Sequence, residues 1–316
     1  MKFVHNYPKR LHVEITSRCN FNCLTCKHGF VDYGIDMNKN VINIIINELL
    51  PHADEIEMQG TGESLLSNEF FNLFLEANKY DKLKKILITN ASLINDSYIE
   101  LFVNSNMDLI ISLDGADHNS FELNRPCGSF ERIVSTLTKL GEYKKKINNI
   151  NFTFVINMVA TNQNYHCIRN LIMLAKKINV DFVHISEVRE CMPDQETWNK
   201  FRLDNIKNYN DFNYYIKDCS MYASELEIGF SFNEYNKYHR IKKPICVSPW
   251  QHIFVCSDGN VSFCCEQNKY IGNLNNSTFE ELWNSSLANN FRKNMIIGDY
   301  DEICCNCCLP WGITYE

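Results

Sequence analysis

The sequence predicts an α/β fold: a partial (β/α)6 TIM-like barrel of parallel strands, followed by a small C-terminal domain built from one β-hairpin and a helix. Three observations carry this. Short β-rich runs alternate with helical patterns through the first two thirds of the 316 residues. The texture changes at PICVSPW, residues 244–250. An Asp258-Gly259 pair then joins two alternating runs, the signal of a tight primed turn between strands. Strands alternating with helices of ordinary length imply parallel βαβ units with right-handed crossovers. Six such units are too few to close an eight-stranded barrel, so an open one is expected, with ligands at the C-terminal ends of its strands.

The elements follow in order. RLHVEIT (10–16) reads as a strand, NKNVINIIINELL (38–50) as a helix, EIEMQG (55–60) as a strand and NEFFNLFLEANKY (68–80) as a helix. KKILITN, NDSYIELFVNSN, DLIISLDG, SFERIVSTLTKLGEYKKKI, NFTFVINMVA, YHCIRNLIMLAKKIN and DFVHISEV continue the alternation. These place a barrel over residues 1–205, a polar helical bridge over 206–240 and the small domain over 241–316. In the last, HIFVCSDGNVSFCCE (252–266) is the hairpin, and STFEELWNSSLANNFRKNMI (277–296) is one amphipathic helix capped by Ser277 or Thr278 and answered by Glu280 or Glu281. Successive strand residues face opposite ways, so Cys264 and Cys265 should look in opposite directions.

Composition narrows the function classes. A 37.0 kDa chain that is 45% apolar, with 12 Gly and 7 Pro, buries a full core and is not disordered. A net charge of −7 and no basic stripe argue against nucleic acid, and the lysine-rich EYKKKI run (142–147) reads as a solvated helix face. No stretch approaches a membrane span and the N-terminus lacks a secretory h-region, so a soluble cytoplasmic protein is expected.

Fifteen cysteines are then the anomaly. An odd count in a chain with a full core is no disulfide scaffold, and ligation of a metal or cluster is the better reading. The sharpest motif is CNFNCLTC, where Cys19, Cys23 and Cys26 follow the first strand. Three thiolates spaced CxxxCxxC can bind three irons of a cubane and leave the fourth iron open to a second chelator. Structural zinc wants four protein ligands, and no fourth lies nearby.

With GTGESLL, TNASLI and SLDG in the expected order behind it, this loop resembles the radical SAM superfamily. The resemblance implies a 4Fe-4S cluster whose open iron is chelated by S-adenosylmethionine. Within Thr61, Gly62, Glu63 and Ser64, where the family usually has proline last, the glycine would let the backbone approach the cofactor and Glu63 would accept from the methionine ammonium. Asn90, Ser112 and Asp114 would bind ribose hydroxyls, and Arg125 the methionine carboxylate in a forked geometry. Plainer readings compete: Asn90 as the cap of a turn, Arg125 as a surface residue, and His184 as a packed side chain instead of a cofactor contact. Thr25 stands where relatives often carry an aromatic residue near adenine.

The C-terminal phrases CVSPW, SDGNVSFCC, IGNL, FEELWN and CCNC resemble the SPASM or twitch domain found behind many such barrels. That resemblance implies one auxiliary 4Fe-4S cluster on Cys246, Cys264, Cys304 and Cys307, with Cys305 and Cys308 as the alternative terminal pair; spacing alone would also suit zinc. Cys265 then turns away from the cluster, either as a packed thiol or as a thiol that returns a hydrogen atom to a substrate radical. Cys127, Cys167, Cys191, Cys219 and Cys256 read as ordinary small residues.

The implied function is reductive cleavage of S-adenosylmethionine to a 5'-deoxyadenosyl radical that abstracts hydrogen from a substrate carbon, fed by a flavodoxin or ferredoxin-type electron donor. The auxiliary cluster would aid oxidation. The sequence starts directly at its first strand without a leader-peptide-binding module, which tilts the expectation toward dehydrogenation of a small sugar-like or natural-product substrate. Modification of a ribosomal peptide or protein, by epimerisation or by a thioether or other crosslink, is the alternative, and a non-catalytic iron-sulfur protein is the rival class.

Overall fold

The structure, a computed structural model, describes residues 6–26, 34–189, 195–206, 209–233, 246–266, 269–305 and 307. The fold class is the expected one, with mostly parallel strands and a C-terminal hairpin and helix. The chain forms two compact units: Met1–Arg18, Tyr33–Ile86 and Lys237–Glu316 make the first, and Cys19–Asp32 with Leu87–Asn236 the second.

In the first unit, strand β1 (Arg10–Val13) lies between two parallel neighbours, β2 (Glu55–Met58) and β8 (His252–Val255). Leu11, Val13, Ile56, Met58, Ile253 and Val255 are buried, so the three strands share a core. The expected hairpin is therefore an extension of the β1 sheet. Its turn spans Cys256 to Asn260, with Gly259 at φ +85°, and leads to β9 (Asn260–Ser262), antiparallel to β8. A short strand β10 (Gly272–Asn273) closes that edge.

The same unit carries helix α1 (Lys39–Ile44), which continues as a π-helical turn over Ile45–Leu49 and stops at Pro51, and helix α2 (Phe70–Ala77). After a four-residue turn of helix, α9 (Ser248–Gln251), the chain enters β8. The single terminal helix expected over 277–296 is two helices. Thr278 and Glu281 form a reciprocal capping box on α10 (Phe279–Trp283), and Ser285 then starts α11 (Ser286–Ile297) by accepting from Ala288 N. The sequence signal was present: a serine set inside a helical pattern competes for backbone donors and starts a new helix. A short helix α12 (Glu302–Cys305) follows.

Strand β3 (Lys84–Thr89) runs through the division between the units. In the second unit β4 (Met107–Ser112), β5 (Phe152–Ala160), β6 (Phe182–Glu187) and β7 (Gly229–Asn233) pair in parallel in that order. Helices α3 (Asp96–Val103), α5 (Phe130–Ile147), α6 (Ile168–Lys177) and α8 (Tyr209–Glu225) intervene, with shorter α4 (His118–Asn124) and α7 (Gln195–Phe201). Strand β7 falls where a helical bridge was expected. GFSFN has the two-residue period of a strand, and it pairs with β6 once α8 has crossed back. Of the lysine-rich run, Lys145 and Lys146 are exposed as expected, whereas Lys144 is half-buried and pairs with Asp181.

Candidate cluster and cofactor sites

In the second unit the cysteine loop is held by its backbone. Cys26 N donates to Cys23 O at 3.1 Å and Leu24 N to Asn124 O at 3.0 Å, while Phe21 N points at Cys19 Sγ at 3.5 Å. All three thiols are half-exposed. Behind them lies a buried ion pair: Arg125 donates through Nε and Nη2 to Asp114 Oδ2 at 2.9 and 2.8 Å. The guanidinium also reaches Cys23 Sγ at 3.6 Å through Nη1. Burial pushes the Cys23 thiol up to about 12 against the opposing pull of Arg125. A thiol so placed ionises only when something replaces its lost solvation. Cluster iron, if held by Cys19, Cys23 and Cys26, would do so, and Arg125 would lie beside the resulting negative charge.

Two expected ribose contacts have other work. Asp114 is 1% exposed and spends one oxygen on Arg125 and the other on Val159 N at 2.8 Å, so its role here is to hold Arg125. Asn90 caps its own turn, accepting from Ser92 N and Ser92 Oγ, and donates to Asn20 Oδ1 in the cysteine loop at 3.0 Å. Asn20 in turn donates to Ser92 Oγ at 2.8 Å. Ser112, the last residue of β4, stays half-exposed.

In the first unit the glycine-bearing loop is positioned by Glu14, a residue the sequence did not flag. Its buried carboxylate accepts from Thr61 N and Oγ1 at 2.7 and 2.8 Å and from Ser257 N and Oγ at 3.2 and 2.8 Å. The only sequence hint was an acid within an otherwise apolar strand end. Gly62 is required by backbone approach: a Cβ there would meet Thr16 O at 2.4 Å and Arg18 O at 2.5 Å. The residue therefore serves the chain's own close packing, where a cofactor approach was expected. Glu63 is buried, and Oε1 accepts from Leu65 N at 3.4 Å at the start of a 3-10 turn.

The first unit also holds the second cysteine set. Cys246, Cys264, Cys304 and Cys307 are each half-buried, and Cys307 N donates to Cys304 O at 3.4 Å. Cys308 and the side chain of Cys305 lie outside the described residues, as does Cys191. Next to this set's hairpin sits Arg292, 4% exposed and without a carboxylate partner among the described residues. It donates to Pro249 O at 2.7 Å and Trp283 O at 2.6 Å, and lies over the Trp283 and Phe263 rings at 4.3 and 5.0 Å. Its Nη2 has no partner among the described residues, and burial pulls its value down to about 10, leaving a cation at neutral pH. Four half-buried thiols in one unit suit an iron-sulfur cluster.

The doublet does not lie on a strand. Strand β9 ends at Ser262, and the chain bends through Phe263 into a turn where the Cys264 thiol hydrogen-bonds that of Cys265. That bond, with burial second, raises the Cys264 thiol, while Cys265 is exposed. The expected opposite directions fail because period-two alternation applies only while the strand continues.

A family model described as the Radical SAM superfamily matches residues 13–175, just over half of the chain. This chain belongs to the radical SAM superfamily. A second model, the SPASM iron-sulfur cluster-binding domain, matches residues 246–308. The enzyme thus works with S-adenosylmethionine, a 4Fe-4S cluster and auxiliary iron-sulfur ligation. It is 24% identical, over 92% of its length and 83% of the relative's, to a cysteine-type anaerobic sulfatase-maturating enzyme of Clostridium novyi. Its fold is similar to Streptococcus suis SuiB bound to precursor peptide SuiA (TM-score 0.69, 18% identity, 91% of this chain and 67% of that one). It is also similar to BtrN in complex with AdoMet and 2-DOIA (TM-score 0.54, 15% identity, 98% and 96%). Among the described residues no helix of this radical SAM protein is long and apolar enough to cross a membrane.

Proposed function

We propose that this radical SAM enzyme modifies a peptide or protein chain. The observation that carries the reading is similarity along nine tenths of the chain to an enzyme named for maturing a sulfatase, which is itself a protein. On this ground the reading is preferred to the small-substrate expectation. The BtrN match over nearly the full length of both chains favours a second reading, a small molecule such as that protein's 2-DOIA.

In this reading Cys19, Cys23 and Cys26 hold the cluster that binds S-adenosylmethionine, and Cys246, Cys264, Cys304 and Cys307 the auxiliary one. When bound, the first cluster and S-adenosylmethionine supply the 5'-deoxyadenosyl radical that takes a hydrogen atom from a substrate carbon. The chain's part is to orient. Arg125, fixed by Asp114, keeps a positive charge at Cys23. Thr61, Gly62 and Glu63 are locked by Glu14 and residues 16–18 before any ligand arrives, which lowers the ordering cost of binding. A flavodoxin or ferredoxin-type protein is the proposed electron donor.

Isotope transfer tests the reading. Anaerobically reconstituted protein, reduced with dithionite, is incubated with S-adenosylmethionine and a pool of synthetic peptides deuterated at Cα and Cβ. Deuterium should appear in 5'-deoxyadenosine. Transfer from a deuterated aminocyclitol, and none from the peptides, would reverse the choice.

A further inference from the structure

The parallel register of the second unit aligns four polar side chains in one row. Ser112 of β4 pairs with Asn157 of β5, Asn157 with His184 of β6, and His184 with Ser231 of β7. Directly paired residues of parallel strands point to the same face. All four are half-exposed, on the face opposite the buried Ile111, Ile156 and Val183. One step earlier on the same face the row is Ile110, Val155, Phe182 and Gly229, wholly apolar. Gly229 is needed there, because a Cβ would meet the Phe182 ring at 2.2 Å. A generally solvated face would be polar in both rows. Here polarity starts abruptly on an apolar floor: Ser112 ends β4, and Asn157, His184 and Ser231 stand within β5, β6 and β7 on the same face.

The hydrogen bonds decide what the row offers. Asn233 Nδ2 donates to His184 Nε2 at 3.3 Å. An amide nitrogen only donates, so Nε2 accepts and the ring proton sits on Nδ1, 2.6 Å from Ser231 Oγ. Ser231 therefore accepts from the imidazole and keeps its own hydroxyl proton to give away. Ser186 Oγ donates to Asn157 Oδ1 at 3.2 Å, which leaves the Asn157 amide N–H groups to donate. Burial lowers the His184 value, so the ring stays neutral. The row presents donors and carries no charge. Neighbouring strands are about 4.8 Å apart, so four strands spread it over about 14 Å, the length of about four residues of extended chain and wider than one sugar ring.

We infer that Ser112, Asn157 and Ser231 form a donor ladder that binds carbonyl oxygens of an extended, uncharged peptide segment, with His184 as the positioning residue that turns the Ser231 hydroxyl outward. The inference rests on the peptide-substrate reading and names the part of the chain that would grip the substrate.

The test is equilibrium dialysis of radiolabelled acetyl-Gly-Ala-Gly-Ala-Gly-amide, and separately of myo-inositol, against reconstituted protein loaded with S-adenosylmethionine. The wild type should retain the peptide and not the inositol. Ser231→Ala, Asn157→Ala and His184→Phe should each weaken peptide binding about 2- to 10-fold, the range for one hydrogen bond. His184→Asn, whose amide N–H takes the place of Nδ1–H, should restore it. Iron content of each variant reports that it has folded. Peptide binding that is equal in the wild type, Ser231→Ala and Asn157→Ala overturns the ladder and leaves the peptide reading standing. Retention of inositol and not peptide overturns the peptide reading itself, and retention of neither overturns the ladder.

Discussion

The two thiol-bearing regions solve the same electrostatic problem in different ways. In the second unit the buried cation beside the thiols, Arg125, has its own acid in Asp114, and the pair is locked to β5 through Val159 N. In the first unit the buried cation, Arg292, has no acid among the described residues; two carbonyls and two aromatic rings hold it. An ion pair completed within the protein can stand before the cluster arrives. A cation held by neutral groups has dipoles alone to offset its lost solvation. The difference makes Arg125 the more tightly constrained of the two buried cations.

Removing the thiols sets the upper limit of that contrast. The wild type should bind about eight irons as two 4Fe-4S clusters. Replacing Cys19, Cys23 and Cys26 together with Ala should leave about four irons, held by the auxiliary set, and abolish 5'-deoxyadenosine production. A wild-type iron count near four would remove the auxiliary site from the comparison.

The cations come next. Asp114→Asn strands a buried guanidinium and should cost about 3–5 kcal/mol of stability by chemical denaturation. Arg292→Met removes a cation that has no acid to strand, and should cost less than half as much in protein without its clusters. Equal losses would mean that the two arginines are held alike and that the contrast above is wrong.

Much of this contrast was legible in the sequence, and the illegible parts share a cause. Local signals were sufficient where structure is set within one segment: the Thr278–Glu281 box occurs as read, and the Asp258-Gly259 pair does join a hairpin, although Gly259 alone takes a positive φ and the turn is not the primed one expected. Long-range pairing was invisible. Nothing near Glu14 says that Thr61 and Ser257 will both donate to it, and nothing near Asp114 says that Arg125 will occupy it ahead of a ribose. Strand β7 was lost because a polar helix preceded it, although Phe230 and Phe232 alternate with Ser231 and Asn233. The doublet was misread because the end of a strand is set by where its partner stops, and β9 stops at Ser262.

pH separates the regions further. His252, buried on β8 with Nδ1 against Phe263 O at 2.8 Å, is pushed down to about 3, chiefly by burial and then by His12. Between about 3 and the ordinary 6.5 the unfolded chain binds a proton at this residue and the folded chain does not, so stability falls as pH drops through that window. From pH 7.5 to 5.5 the loss attributable to His252 should be about 1 to 2 kcal/mol. His252→Gln should flatten that part of the denaturation profile. An unchanged slope would show that the ring is not shut from water in the folded chain.

The finest contrast is expected at the doublet, where two adjacent cysteines are predicted to behave unequally for a reason other than strand alternation. Cys264 is half-buried, accepts from Glu266 N at 3.4 Å and hydrogen-bonds Cys265, so three constraints fix its sulfur. Cys265 is exposed and contributes one of those constraints only. Cys264→Ala should therefore lose the auxiliary cluster, seen as a drop of about four irons. Cys265→Ala should keep it, with a stability change within about 0.5 kcal/mol, as for an exposed side chain. If Cys265 returns a hydrogen atom to the substrate radical, its Ala variant will still make 5'-deoxyadenosine but will not yield the reduced product. Iron counted in the two single variants side by side decides the ligand: loss in Cys265→Ala with retention in Cys264→Ala reverses the assignment, and with it favours Cys305 and Cys308 over Cys304 and Cys307 as the terminal pair.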